Sequence, residues 1–178
     1  MPAIDVARPA TSVLLVEDDP ADAKLIQEAL AGSAGRAFQV EWVTQLREAL
    51  LRLSKAAIDV VLLDLTLPDG LGIAVFDQIF EAAPRALILV LSGASDEELA
   101  RQAVQRGAQD YFAKGHIDAR WLPHALRYVM ERKASQDALR VSEERFRAMS
   151  DASPSASSFP MPGGIASIPM RHTTGYPG

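Results

Sequence analysis

The sequence contains no cysteine. That excludes disulfide staples, thiolate zinc sites and cysteine nucleophiles, and it is compatible with a reducing compartment. No apolar run approaches the roughly 20 residues that a membrane span needs. The N-terminus lacks the basic region and long apolar stretch of a secretory signal. A cytoplasmic protein without a membrane contact is expected. Basic residues are outnumbered, giving a formal net charge of -5, which argues against a general grip on nucleic acid. The three histidines, His116, His124 and His172, show no ligand spacing. There is no internal repeat.

Apolar residues make up 48% of the 178 positions, enough for a core, and the charged fraction is that of a globular chain. After a loose leader at 1–11, Ser12–Val16 is a short apolar run of the kind that forms a strand buried on both faces. Asp19-Pro20 then reads as an N-cap followed by proline at the first helical position. The helix runs to about Ala31, with Leu25, Ile26, Ala29 and Leu30 inward, and Gly32–Gly35 stops it. Phe38–Val43 reads as a second strand. A helix over Gln45–Ser54 carries Leu46, Ala49, Leu50 and Leu53 at helical spacing. Ile58–Leu63 is a third strand, with Asp64 at its C-terminal end and a turn at Leu67–Gly70. A helix over Gly72–Ala83 and a strand over Ala86–Leu91 follow. Ser95 or Asp96 can cap a fourth helix to Arg106, ended by Gly107. Ala108–Phe112 is a fifth strand, and the last helix begins near Asp118 with Pro123 in its first turn.

Five apolar strands alternating with five helices imply an α/β fold: a doubly wound parallel sheet covered on both faces. In such sheets ligands bind at the C-terminal strand ends, near the switch in strand order. The first strand ends in Glu17 and Asp18, the third in Asp64 and the fourth in Ser92, and Lys114 follows the fifth. Three neighbouring carboxylates repel one another unless a cation intervenes. Oxygen ligands of this kind suit Mg2+, which keeps several waters. A carboxylate beside Mg2+ can attack phosphorus and carry the phosphoryl group covalently. The oxygens of that group would then face the metal, Lys114 and the Ser92 hydroxyl.

Four segments carry a family resemblance: Leu14-Leu-Val-Glu-Asp-Asp19, Val61-Leu-Leu-Asp-Leu-Thr-Leu-Pro-Asp-Gly70, Leu91-Ser92 and Asp110-Tyr-Phe-Ala-Lys114. In order and spacing the chain from about Ser12 to Arg132 resembles a bacterial two-component receiver domain, a flavodoxin-like fold. The resemblance implies that Asp64 is the phosphoacceptor and that Asp18 binds Mg2+ directly. Glu17 would help through water, and the Thr66 carbonyl would complete the protein's share of the shell. Lys114 would pair with the phosphoryl group, while Ser92 and Tyr111 would be the switch pair. The implied partner is a sensor histidine kinase or phosphotransfer protein. The implied output face comprises the fourth helix, fifth strand and fifth helix. In the family, proline usually follows the lysine, often in a cis bond. Gly115 stands there, and a trans bond with a different loop is expected.

The last helix is expected to continue to about Met149, with 12–132 the receiver and 133–150 a helical linker. Met130, Ala134, Val141 and Ala148 form a thin stripe, so a coiled-coil dimer and a solvated linker are both open. The C-terminal face or this helix is the candidate homodimer surface. Val141-Ser-Glu-Glu-Arg-Phe-Arg-Ala-Met-Ser-Asp-Ala-Ser-Pro154 resembles the entry into a PAS domain. Ser, Pro and Gly then supply 14 of the 28 positions from 151 on, with no acid after Asp151. A disordered tail is expected, on a truncated or frame-shifted relative of a longer protein. The other readings are a phosphorylation-independent receiver-like interaction module and a Mg2+-dependent phosphohydrolase. The latter wants an acid two residues after the nucleophile, where Thr66 stands. Direct DNA binding is disfavoured, because no helix-turn-helix module follows. Asp59, Asp69 and Asp110 fit turn or strand-edge chemistry.

Overall fold

The computed structural model describes residues 10–32, 38–93, 96–118 and 120–151. The expected leader, the first helix's stop beyond Gly32, the Ser95 cap and the tail lie largely or wholly outside these residues. Two units are distinguished, up to Asp137 and from Ala138 onward.

Leucine- and valine-rich runs with no polar face make strands that must be covered on both sides. They form one parallel sheet of β1 (Thr11–Val16), β2 (Phe38–Val43), β3 (Val60–Asp64), β6 (Leu87–Ser92) and β7 (Asp110–Ala113). The order is β2-β1-β3-β6-β7. A two-strand hairpin, β4 (Thr66–Leu67) and β5 (Gly70–Leu71), projects after β3. The sequence signals only a turn there.

The period-2 alternation of a strand divides the core in two. Leu14, Val16, Val61, Leu63, Ile88 and Val90 face α2 (Leu46–Lys55), α3 (Ile73–Ala82) and α4 (Glu97–Arg106). Val13, Leu15, Val60, Leu62, Leu89 and Leu91 face α1 (Pro20–Ala31) and the start of α5 (Trp121–Asp151). Each fully buried leucine or valine contributes roughly 1.5–3 kcal/mol relative to exposure. On α1 the inward set is Ala23, Ile26, Ala29 and Leu30, whereas Leu25 is 41% exposed. This corrects the expected face. Positions 23, 26 and 30 keep the i, i+3, i+7 spacing, and Leu25 falls off that stripe.

The fifth sheet strand begins at Asp110, two residues later than the expected start at Ala108. The Ala108 N–H is drawn back to the Ala103 carbonyl at 2.9 Å, closing α4. Asp19 caps α1 by accepting from Ala21 and Asp22 N–H at 2.7 and 3.2 Å. Asp118 accepts from Arg120 and Trp121 N–H ahead of α5, and Pro123 is the third helical residue. Two glycines are required by backbone shape: Gly72 at φ +71 and Gly107 at φ +124. A Cβ on Gly107 would also lie 2.9 Å from Phe80 Cε2.

Candidate functional site

The order of strands reverses between β1 and β3, since β2 lies on one side of β1 and the later strands on the other. Their C-terminal ends open a crevice there. Glu17 and Asp18 leave β1, and Asp64 is the last residue of β3. Carboxylate oxygens of all three lie within 4.8 Å of one another. Glu17 is fully buried, Asp64 is 6% exposed and Asp18 is exposed.

Two backbone contacts fix Glu17. Its N–H donates to the Val43 carbonyl at 3.1 Å, and its carbonyl accepts from the Trp42 indole N–H at 2.7 Å. β2 therefore holds the acidic end of β1 although it supplies no acid to the close carboxylate set. The Thr66 N–H donates to Asp64 Oδ1 at 2.8 Å. Gly72 N–H reaches the Leu65 carbonyl at 2.7 Å, closing the hairpin beside the aspartate.

Lys114 opens a short 3-10 turn, Lys114–His116, after β7. Its Nζ lies 2.6 Å from Asp64 Oδ2, 2.9 Å from Glu17 Oε1 and 3.1 Å from Asp22 Oδ2. Glu17 Oε2 is 2.8 Å from the same ammonium, yet no hydrogen bond of good geometry reaches that oxygen. It is a buried carboxylate atom with unmet acceptor capacity, which normally carries a cost. Burial pushes the Glu17 carboxyl up to about 7; the Lys114 hydrogen bond opposes this and the Asp64 charge adds to it. Burial alone would lower the Lys114 pKa. Its hydrogen bonds to Asp64 and Glu17 outweigh that and hold it above the usual lysine range.

A buried carboxylate oxygen with spare acceptor capacity and a set of close carboxylates fit a hard divalent cation that retains waters. Glu17, Asp18 and Asp64 are the residues that could hold it.

Ser92 ends β6, one step beyond Leu91, the partner of Asp64 in the ladder. It is buried. Tyr111, opposite Val90 on β7, is half-buried, and its hydroxyl lies 3.4 Å from Glu97 Oε1. Ser92 and Tyr111 line one cleft of about 510 Å3, together with Phe112, His116 and Trp121. The structure thus brings Glu17, Asp18, Asp64 and Lys114 together, sets Thr66 beside them, and joins Ser92 and Tyr111 through that cleft. No peptide bond is cis among the described residues, in keeping with Gly115 after Lys114.

Sequence reasoning missed Asp22 and Trp42 at the site. Asp22 reads as an acidic residue favoured in a first helical turn, and Trp42 as the end of a strand; neither carries a local sign of its long-range partner.

The response regulator receiver domain model matches residues 13–127. The chain belongs to the receiver family. It is 34% identical over 134 residues to the KDP operon transcriptional regulatory protein KdpE of Escherichia coli (strain K12), covering 72% of this chain and 55% of that protein. The chain thus spans about half the length of that curated relative. A CheY-like response regulator receiver domain protein from Methanospirillum hungatei JF-1 shares the fold, with TM-score 0.63 and 20% identity, covering 72% of this chain and 99% of that one. A response regulator from Burkholderia pseudomallei matches with TM-score 0.57 and 25% identity, covering 73% and 74%. That structure contains a phosphorylated aspartic acid, a calcium ion and citrate. Membership of this family is consistent with a phosphoacceptor role in two-component signalling.

Proposed function

We propose that Asp64 is the phosphoacceptor, taking its phosphoryl group from a histidine kinase or phosphotransfer protein with Mg2+ as the resident cation. The observation that carries this is the state of the Asp64 carboxylate. It is nearly buried, one oxygen is held by the Thr66 N–H and the other by Lys114, and Glu17 and Asp18 stand alongside. A nucleophile fixed in this way loses little orientational freedom on reaction. The phosphorylated aspartate of the Burkholderia relative supports the same chemistry here.

One carboxylate oxygen of Asp64 forms the new bond to phosphorus. The donor's bond to phosphorus breaks, and its electron pair leaves with the donor. Lys114 turns an N–H toward a phosphoryl oxygen, and the Ser92 hydroxyl donates to another. Asp18 and Asp64 would hold Mg2+ directly, with the Thr66 carbonyl, and Glu17 would act through a water. When bound, Mg2+ neutralises the carboxylates and the charge on the transferring oxygens. The chain itself thereby promotes both its phosphorylation and its later hydrolysis.

Movement of Ser92 toward the phosphate lets Tyr111 turn into the shared cleft. This biases the face of α4, β7 and α5 between two states. That switched face is the output, and the protein works in the cytoplasm. The residues from Val141 form the entry to a PAS-type segment. A homodimer through the C-terminal face or helix is the assembly favoured by the exposed Leu139, Phe146 and Met149, which follow heptad spacing.

The test is incubation with Mg2+ and a small acyl phosphate donor, read by intact mass. One added phosphoryl group, absent from Asp64→Asn and absent without Mg2+, is the expected result. No gain in a folded sample that binds Mg2+ would replace this reading with a phosphorylation-independent interaction module.

A further inference from the structure

We infer that Asp22 is a positioning residue that anchors Lys114 over the site while Asp64 reacts. The inference rests on the reading that Asp64 takes the phosphoryl group.

A lysine ammonium has three N–H donors and no acceptor. Here three carboxylates surround it: Asp64 at 2.6 Å, Glu17 at 2.8 Å and Asp22 at 3.1 Å. The three are not equivalent. Glu17 and Asp64 belong to the close carboxylate set that can hold a cation, and Asp22 does not. Once Asp64 is phosphorylated to the acyl phosphate, its bonded oxygen no longer carries a carboxylate charge. A cation held by this set would compete with lysine for the Glu17 carboxylate. Asp22 is the member of the three whose bond to Lys114 survives both events.

The position of Asp22 is itself fixed. It is the third residue of α1, and its N–H donates to the Asp19 cap at 3.2 Å. Lys114, by contrast, opens the 3-10 turn after β7, and the Ile117 N–H bond to its carbonyl at 3.2 Å fixes the main chain there but not the long side chain. A Cβ placed on the next residue, Gly115, would meet nothing within 4 Å. A lysine side chain carries roughly 1.5–2 kcal/mol of rotamer entropy. A fixed second partner confines it where the backbone does not. The side chains of Lys114 and Asp22 are 18% and 38% exposed, so their contact is partly sheltered from solvent screening.

The test compares the parent with Asp22→Ala and Asp22→Asn in the donor assay at saturating Mg2+, with Mg2+ affinity measured separately by calorimetry. Asp22→Ala should slow phosphorylation about tenfold, equivalent to about 1.4 kcal/mol of lost transition-state stabilisation, while Mg2+ affinity changes less than about threefold. Asp22→Asn keeps an acceptor oxygen and should recover most of the rate. In a Lys114→Ala background, Asp22→Ala should have no further effect, because the residue it positions is gone. A parent-like or faster Asp22→Ala overturns the inference and makes Asp22 a brake. So does a loss that persists in the Lys114→Ala background, or one that tracks Mg2+ affinity. A parent that takes no phosphoryl group overturns this inference together with the reading beneath it.

Discussion

Single residues show where local sequence suffices and where it fails. Asp64 and Lys114 stand 50 positions apart, yet their atoms are 2.6 Å apart. Their meeting was legible because Asp64 ends an unbroken apolar run and Lys114 follows the fifth strand, so both fall at the C-terminal edge of one parallel sheet. Asp22 was not legible, because a first-turn acid looks the same whether it meets solvent or a lysine 92 residues away. Gly107 was read as a helix stop, and the structure adds its second reason, the Phe80 ring against its α-carbon. Gly107→Ala should therefore destabilise the protein by about 1–3 kcal/mol, combining a left-handed backbone with a steric clash. Urea unfolding checks this, and a loss below about 0.5 kcal/mol would show that neither the backbone conformation nor the ring constrains this position.

Elements depend on caps supplied from far away. The sequence places no capping side chain at the start of α2, where Gln45 makes no side-chain cap bond. Asp69, in the turn after β4, takes that role, accepting from Leu46 and Arg47 N–H at 2.8 and 3.0 Å. Read as turn chemistry, it also ties the hairpin beside Asp64 to a helix 23 residues earlier. The Arg47 and Leu46 N–H bonds hold its carboxyl below the usual carboxylate range, against a weaker opposing effect of desolvation. A depressed folded pKa means that the unfolded chain binds more protons at low pH. The stabilisation is thus present above the ordinary aspartate value and lost as pH falls through the folded one. Asp69→Asn should lower the melting temperature at pH 7, and the gap to the parent should narrow below about pH 4. A gap independent of pH would mean that the carboxylate charge contributes nothing to the cap. The start of the fifth strand was not legible, because the Ala108 N–H bonds back to the Ala103 carbonyl and only Gln109 N–H reaches the neighbouring strand at Ile88, a division that no local residue marks.

At the scale of the whole molecule, the two apolar clusters account for the fold class, which the sequence reading obtained from alternation alone. The start of α5 belongs to that core: Leu122, Leu126 and Val129 are buried, whereas Leu139, Val141 and Phe146 are exposed. A chain ending at Asp137 should therefore melt within a few degrees of the full chain. One ending at Arg120 should fail to fold, since it gives up three buried side chains worth roughly 1.5–3 kcal/mol each. Circular dichroism of the two truncations distinguishes these outcomes. An unstable 1–137 fragment would show that the distal helix stabilises the receiver.

The hydrogen bond from the Trp42 indole to the Glu17 carbonyl gives the molecule an optical property as well as a brace. Indole emission responds to the charge and polarity around it, and this indole is wired to the acidic end of β1. With Trp121 replaced by phenylalanine, Trp42 becomes the lone tryptophan, bonded to the backbone of the acidic end of β1. Arrival of a divalent ion, or of a phosphoryl group, could then be followed in real time by light alone, with no label and no partner protein in the cuvette.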